Sequence, residues 1–319
     1  MQIVKGLNAI PAGRQPRVLT IGSFDGVHLG HRSLIGQVVA AAQKVGARSA
    51  VLSFDPHPAE VLRPEIKLAR LFSVEDMAAQ LGAIGVDDLI LEPFTLALAQ
   101  LSAREFVQKI LASIDLKVLF VGYDFAFGKD RQGGYAELKK MGVEFGFDVQ
   151  QVEPAKFDGQ VISSSRIRKL IEVGDVTSAQ KLLGRAYYLE GQVVSGDGRG
   201  RALGFATANL KCQTVLKPLP GVYITKFQLM GGRVENANLG LDSPMQVSVT
   251  NIGFKPTFYE NHELTIETHV LDAEQNFVGK KVRVELLQRL RDELKFESAH
   301  ELIKQIESDV RQTRKFFRQ

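Results

Sequence analysis

Two hydrophobic rhythms share this chain, and one gives way to the other near residues 184–187. Between about residues 17 and 150, apolar runs recur at 18–21, 50–54, 88–91 and 118–121. Helical spacing fills the gaps: Leu34, Ile35, Val38 and Val39 after the first run, then 74–82 and 103–111. Ser73 with Asp76 and Ser102 with Glu105 have capping-box spacing at the starts of those last two helices. Strands alternating with helices predict a doubly wound parallel sheet. A helix over 178–183 closes at Gly184, a common C-terminal signal. From there to about residue 290 the chain runs in short strand-like segments broken by glycine and proline, at 191–194, 221–229, 245–251, 264–271 and 281–287. That rhythm predicts a closed antiparallel barrel. Ser298 and Glu301 have capping-box spacing ahead of a last helix with the apolar stripe Leu302, Ile303, Ile306 and Val310. The expected fold is α/β plus all-β, in two domains, 1–185 and 186–319.

Composition narrows the class of function. The chain has 319 residues, enough for two cores, and 40 basic against 36 acidic residues leave a net charge of only +4. That balance suits phosphorylated small molecules and argues against a nucleic-acid partner. A single cysteine, Cys212, rules out an intrachain disulfide and fits a reducing compartment. No apolar run approaches a membrane span, and the first residues lack a signal-peptide pattern. A cytoplasmic protein without membrane or nucleic-acid partners is expected, as a monomer or weak homo-oligomer.

The first chemical motif follows the first strand: Gly22-Ser23-Phe24-Asp25-Gly26-Val27-His28-Leu29-Gly30-His31. It sits where a strand ends and a helix begins, the crevice in which open α/β sheets bind ligands. Unpaired N–H groups and the positive end of the helix dipole suit an anion there. Gly26 and Gly30 remove Cβ atoms that would keep a phosphate off the backbone. Two histidines three residues apart can donate to an α-phosphate as charge builds in nucleotidyl transfer. The same pair also reads as two surface histidines at a helix cap, or as half of a zinc site, although no third ligand lies nearby. No G-x-G-x-x-G follows a strand and no G-x-x-x-x-G-K-[ST] occurs, which disfavours a dinucleotide Rossmann site and a P-loop.

Three further stretches carry polar groups. Ser163-Ser164-Ser165-Arg166-Ile167-Arg168 opens an amphipathic helix; it offers N-cap oxygens and a guanidinium, or is an ordinary cap with solvated arginines. Residues 196–209 hold Gly200, Arg201 and Gly204 in a glycine-rich loop, then Thr207 and Asn209, whose oxygens share a face of an extended segment and suit Mg²⁺. A flexible hairpin loop explains that stretch equally. Along 264–270, alternation puts Thr265, Glu267 and His269 on one face. A carboxylate at the interior or mouth of a barrel can take a proton from a substrate hydroxyl; a solvent-facing glutamate is the plain alternative.

The motif at 22–31 matches the HxGH nucleotidylyltransferase signature, and its longer form resembles the bacterial bifunctional riboflavin kinase/FAD synthetase family. Other motifs resemble that family in its order. Asp124 lies in a stretch like G-x-D-F-x-F-G, with Ala126 where arginine is frequent. Ser163–Arg168 resembles I-S-S-T-x-I-R, and Gly200–Asn209 resembles G-R-x-L-G-x-P-T-A-N, with Ala206 in place of proline. Asn251–Phe258 resembles N-I-G-x-x-P-T-F, and Arg291 falls in an R-x-E-like stretch. The resemblance implies a Rossmann-like nucleotidylyltransferase domain and a riboflavin kinase-like barrel. It implies ATP, riboflavin, FMN and FAD as substrates and products, with Mg²⁺ as cofactor. His28 and His31 would act on the α-phosphate. Gly22, Phe24, Gly26, Gly30, Asp124, Ser164, Ser165 and Arg168 would hold ATP in the first domain; Gly200, Arg201 and Gly204 would hold phosphate in the second. Thr207 and Asn209 would carry Mg²⁺, Glu267 would be the base, and Asn251, Gly253, Pro256, Thr257 and Arg291 would line the flavin pocket. Loss of the kinase step, with Ala206 loosening the loop, and a non-catalytic flavin or nucleotide sensor are the competing expectations.

Overall fold

The structure is a computed structural model that describes residues 1–11, 15–65, 68–196, 204–212, 216–231, 243–254, 264–273 and 275–318. The chain divides into two compact units, Met1–Ser164 and Ser165–Gln319. The first is built on a six-stranded parallel sheet. Its strands are β1 (Gln2–Lys5), β2 (Pro16–Ile21), β3 (Arg48–Phe54), β4 (Asp88–Glu92), β5 (Asp115–Gly122) and β6 (Asp148–Val152), in the order β1-β4-β3-β2-β5-β6. Chain order runs one way from β2 to β4 and the other way from β2 to β6. The switch point therefore lies between β2 and β5, as a doubly wound sheet requires. Helices cover both faces, so Val18, Leu19, Thr20 and Ile21 of the central strand are all buried.

In the first unit, three helices are those the spacing predicts, with caps that explain their limits, and three more, two of them short, carry no such signal. α1 (Leu29–Val45) starts at the N-cap His28 and ends on Gly46 in the left-handed region. A short α2 (Pro58–Leu62) is capped by His57. The starts of α3 (Val74–Ile84) and, after the short α4 (Leu96–Ala99), of α5 (Ala103–Ser113) carry complete capping boxes, Ser73/Asp76 and Ser102/Glu105. Periodicity reveals neither β1 and β6 nor α6 (Tyr135–Phe145), which precedes β6, nor the two-residue strands β7 (Lys156–Phe157) and β8 (Gln160–Val161) after it. β1 is an edge strand with one buried residue, and β6 alternates polar residues with only Val149 and Val152 buried.

The second unit opens with α7 (Ser164–Glu172) and α8 (Val176–Leu183), which ends on Gly184 with φ 74°. α8 packs on the barrel strands, so the compact units divide about 20 residues before the change in sequence texture. The barrel closes in the order β10-β13-β12-β11-β14-β9, with β9 (Tyr187–Val194), β10 (Ala208–Cys212), β11 (Gly221–Leu229), β12 (Gln246–Phe254), β13 (Leu264–Val270) and β14 (Lys281–Arg291). All six pairings are antiparallel. Its interior holds a chain of buried hydroxyls, Ser248–Thr225–Thr250–Thr268, linked at 2.7, 2.8 and 3.0 Å. The last helix, Ala299–Phe316, is capped by Ser298, which takes the Glu301 N–H. The return half of that expected capping box is diverted: Glu301 Oε2 accepts from the Glu297 N–H instead. Among the described residues, no helix is long and apolar enough to cross a membrane.

Candidate active sites

The loop after β2 is held from beneath. Phe24 and Val27 are buried in the cluster under α1 and α3, and both have positive φ, 49° and 37°. Such backbone is costly for these residue types and persists because their side chains are plugged into the core. Gly22 lies against the Phe24 ring, and Gly26 has φ 85°. Both oxygens of Asp25 accept the Leu71 N–H, at 3.0 and 3.1 Å, and the Asp25 carbonyl accepts from the Ser164 hydroxyl at 2.8 Å. Spacing gave Asp25 no role; with Ser23, whose carbonyl accepts from the Ser53 hydroxyl, it ties this loop to its surroundings.

At the loop's end the His28 and His31 rings stack, 3.6 Å between centroids and 19° between planes. His28 Nδ1 accepts the His31 N–H at 3.2 Å, so the proton of a neutral His28 ring rests on Nε2. A Cβ on Gly30 would sit 3.2 Å from two atoms of that ring, so the absence of a side chain there lets His28 fold back over the helix start. His31 Nδ1 is buried and has no hydrogen-bond partner among the described residues. Burial, and secondly the neighbouring His28, push the His31 pKa well below its usual value, so the ring is neutral at pH 7. Both donors thus wait at the positive end of α1. Among the described residues no group of three His, Cys, Asp or Glu side chains stands together as a metal site.

Beside the loop lies a shallow open cleft, lined by Ser23, Ser53, Phe54, Phe72, Met77 and Arg70 among others. Arg70 pairs with Glu60 at 2.8 Å and with Asp55 at 3.0 Å. Arg70 and Phe72 stand in no recognisable motif; only the tertiary fold reveals them. Asp124 is exposed on the turn after β5, the strand across the switch point from β2. Phe125 and Phe127 pack against the core, stacked at 5.4 Å. Ser165 and Arg168 lie on α7, within the second compact unit.

In the barrel, register rather than sequence proximity assembles the polar groups. Asn209 of β10 pairs with Glu267 of β13, and Glu267 pairs with Asn251 of β12. Directly paired residues project to the same side, so the three form one row. The row faces outward: Ile266, Thr268 and Val270 take the interior, leaving Glu267 half-buried on the outer surface. That parity corrects the expectation of an interior position for Glu267. Thr207 immediately precedes β10. Gly196 lies so close to Asn209 that a Cβ there would overlap its amide. These hard oxygens beside a carboxylate fit Mg²⁺. Asn251 Nδ2 lies 3.3 Å from Glu293 Oε1, whose carboxylate presses on Gly253. Arg291 is already engaged, bound through two nitrogens to the buried Asp309 of the last helix, at 2.7 Å for the closest pair. Gly204 is described, with φ 86°; Gly200, Arg201, Pro256 and Thr257 lie outside the described residues.

Comparisons with known proteins agree with this division. The FAD synthetase family model matches residues 10–166, and the riboflavin kinase family model matches residues 183–317. A bifunctional riboflavin kinase/FMN adenylyltransferase of Listeria monocytogenes is 36% identical over 305 residues, 94% of this chain and 92% of the relative. The protein of that name in Haemophilus influenzae is 35% identical, covering 99% of each chain, and that of Escherichia coli is 34% identical over 99% of this chain and 98% of its own. A crystal structure from Streptococcus pneumoniae, described as a macrolide-efflux protein, superposes with a TM-score of 0.86 at 30% identity over 98% of each chain. The chain belongs to the bifunctional riboflavin kinase/FMN adenylyltransferase family.

Proposed function

We propose that this protein makes flavin nucleotides in two ATP-dependent steps, phosphorylating riboflavin to FMN and then joining FMN to AMP. The observation that carries the reading is the stacked His28–His31 pair at the start of α1. In the second step an FMN phosphate oxygen attacks the α-phosphorus of ATP, the bond to the β-phosphate breaks, and pyrophosphate leaves. The attacking oxygen is already anionic, so no base is needed. What the site supplies is position and a countercharge. His28 donates through Nε2–H to the α-phosphate as charge grows, and His31 adds a second donor. Ser164, Ser165 and Arg168 hold the outer phosphates, and Asp124 holds the adenosine. The cleft sets Phe54, Phe72 and Met77 among serines and Arg70, a mix of apolar faces and polar groups that suits a flat ring with polar edges, and it seats the flavin.

In the first step the riboflavin 5′-hydroxyl attacks the γ-phosphorus and ADP leaves. Glu267 takes the hydroxyl proton. Thr207 and Asn209 would hold Mg²⁺, which when bound offsets phosphate charge. Asn251 and Gly253, with Pro256 and Thr257, line the flavin pocket. Arg291 contributes by anchoring the last helix beside it. This reading takes residues 1–185 as the adenylyltransferase domain and 186–319 as the kinase domain, in a cytoplasmic monomer or weak homo-oligomer acting only on small molecules.

Purified protein incubated with riboflavin, ATP and Mg²⁺ tests it. FMN and then FAD are expected; FAD from supplied FMN without any FMN from riboflavin would reduce the protein to an adenylyltransferase. Flavin binding with no turnover would make it a sensor.

A further inference from the structure

The ladder between β10 and β13 stops at Ala208↔Thr268. Two residues further on, the carbonyl of Ala206 is taken by a side chain: His269 Nδ1 lies 2.9 Å from it. A carbonyl oxygen only accepts, so Nδ1 carries the proton of this ring. The same ring meets the edge of Phe205, 5.5 Å between centroids and 81° between planes. His269 therefore grips both residues ahead of Thr207. It stands on the outer face of β13 two positions from Glu267, so one strand carries the carboxylate and the clamp on the loop opposite. Ala206 has the free φ that a proline would have lost, and a hydrogen bond to its carbonyl restricts the same stretch of backbone.

We propose that His269 is a positioning residue of the riboflavin kinase site, fixing Thr207 against Glu267 through the Ala206 carbonyl. The inference rests on the reading of Thr207, Asn209 and Glu267 given above. It assigns His269 no contact with substrate. Loss of an outer-shell hydrogen bond of this kind costs about 10–100-fold in metal affinity or activity.

Three variants separate the hydrogen bond from the ring. His269→Asn places an amide donor where Nδ1 stands; His269→Phe keeps the edge contact with Phe205 but donates nothing; His269→Ala removes both. Riboflavin phosphorylation is measured against Mg²⁺ concentration, with FMN adenylylation and thermal melting followed on the same full-length samples. The Ala and Phe variants are expected to raise the apparent Mg²⁺ constant by about tenfold or more, and Asn to restore most of the loss. Adenylylation should be unchanged in all three. Equal Mg²⁺ dependence in Phe and wild type would overturn the proposal. So would an Asn variant no better than Ala, or a loss explained wholly by a lowered melting temperature. Thr207→Ala runs alongside: if it leaves Mg²⁺ dependence unchanged, the reading of the kinase site has failed, whereas a response from Thr207→Ala and none from His269→Ala isolates the failure to the clamp.

Discussion

Gly30→Ala sets helix stability against the geometry of the histidine pair. Gly30 lies in the first turn of α1, and alanine in a helix is favoured over glycine by about 1 kcal/mol. The added Cβ would stand 3.2 Å from Nδ1 and Cε1 of His28, a few tenths of an ångström inside ordinary contact. The ring has little room to yield, being 4% exposed and stacked at 3.6 Å on His31. Moving it weakens the cap on the His31 N–H, worth about 1 kcal/mol, so the two stability effects nearly cancel. Tm should change by no more than about 4 °C. Activity has no such compensation. A full ångström of misplacement costs about 100-fold in rate, so a shift of a few tenths should cost about tenfold in FAD synthesis from FMN. Riboflavin phosphorylation, in the other unit, should be unaffected. Melting curves and the two separate assays decide it. Unchanged FAD synthesis with an unchanged or higher Tm would refute the claim that Gly30 exists to seat His28.

Three further outcomes follow from buried titratable and charged groups. His31 is neutral in the free protein because burial, and then His28, depress its pKa. A triphosphate beside it favours the charged ring, so ATP binding near pH 6.5 should take up protons; calorimetry in buffers of different ionisation enthalpy will read this, and net proton release would contradict it. The folded value lies below the unfolded one, about 6.5, so His31's contribution to stability is present above that pH and lost as pH falls through the folded value; His31→Gln should flatten that part of the Tm–pH profile. Asp309→Ala leaves the largely buried Arg291 guanidinium without its partner, the Asp309 side chain being 3% exposed and that of Arg291 20%. We expect about 3 kcal/mol of destabilisation in urea unfolding. A loss below about 1 kcal/mol, the level of a surface pair, would show that the last helix is held otherwise.

Much of this was legible in the chain because the strongest signals are local. The capping boxes of α3 and α5, the left-handed Gly184 and the strand-loop-helix around His28 need only neighbours a few residues apart. Strand alternation put Glu267 and His269 on one face, but which face turns outward depends on the closed barrel and its buried hydroxyl chain. Register is likewise non-local: Asn209, Asn251 and Glu267 span 58 residues from first to last and meet through strand pairing. Arg291 resembles a flavin contact in sequence, yet the buried Asp309, 18 residues on, claims its guanidinium. Arg70 and Phe72 of the cleft carry no periodic or motif signal at all.

On this assignment two separate sites in one chain carry the two activities. Assaying His28→Ala and Glu267→Gln side by side, each with riboflavin and with FMN as flavin substrate, tests that most directly. His28→Ala should convert riboflavin to FMN and stop there. Glu267→Gln should leave riboflavin untouched yet make FAD when FMN is supplied. A folded variant that loses both activities, or an exchange of the two phenotypes, would contradict the assignment of either site.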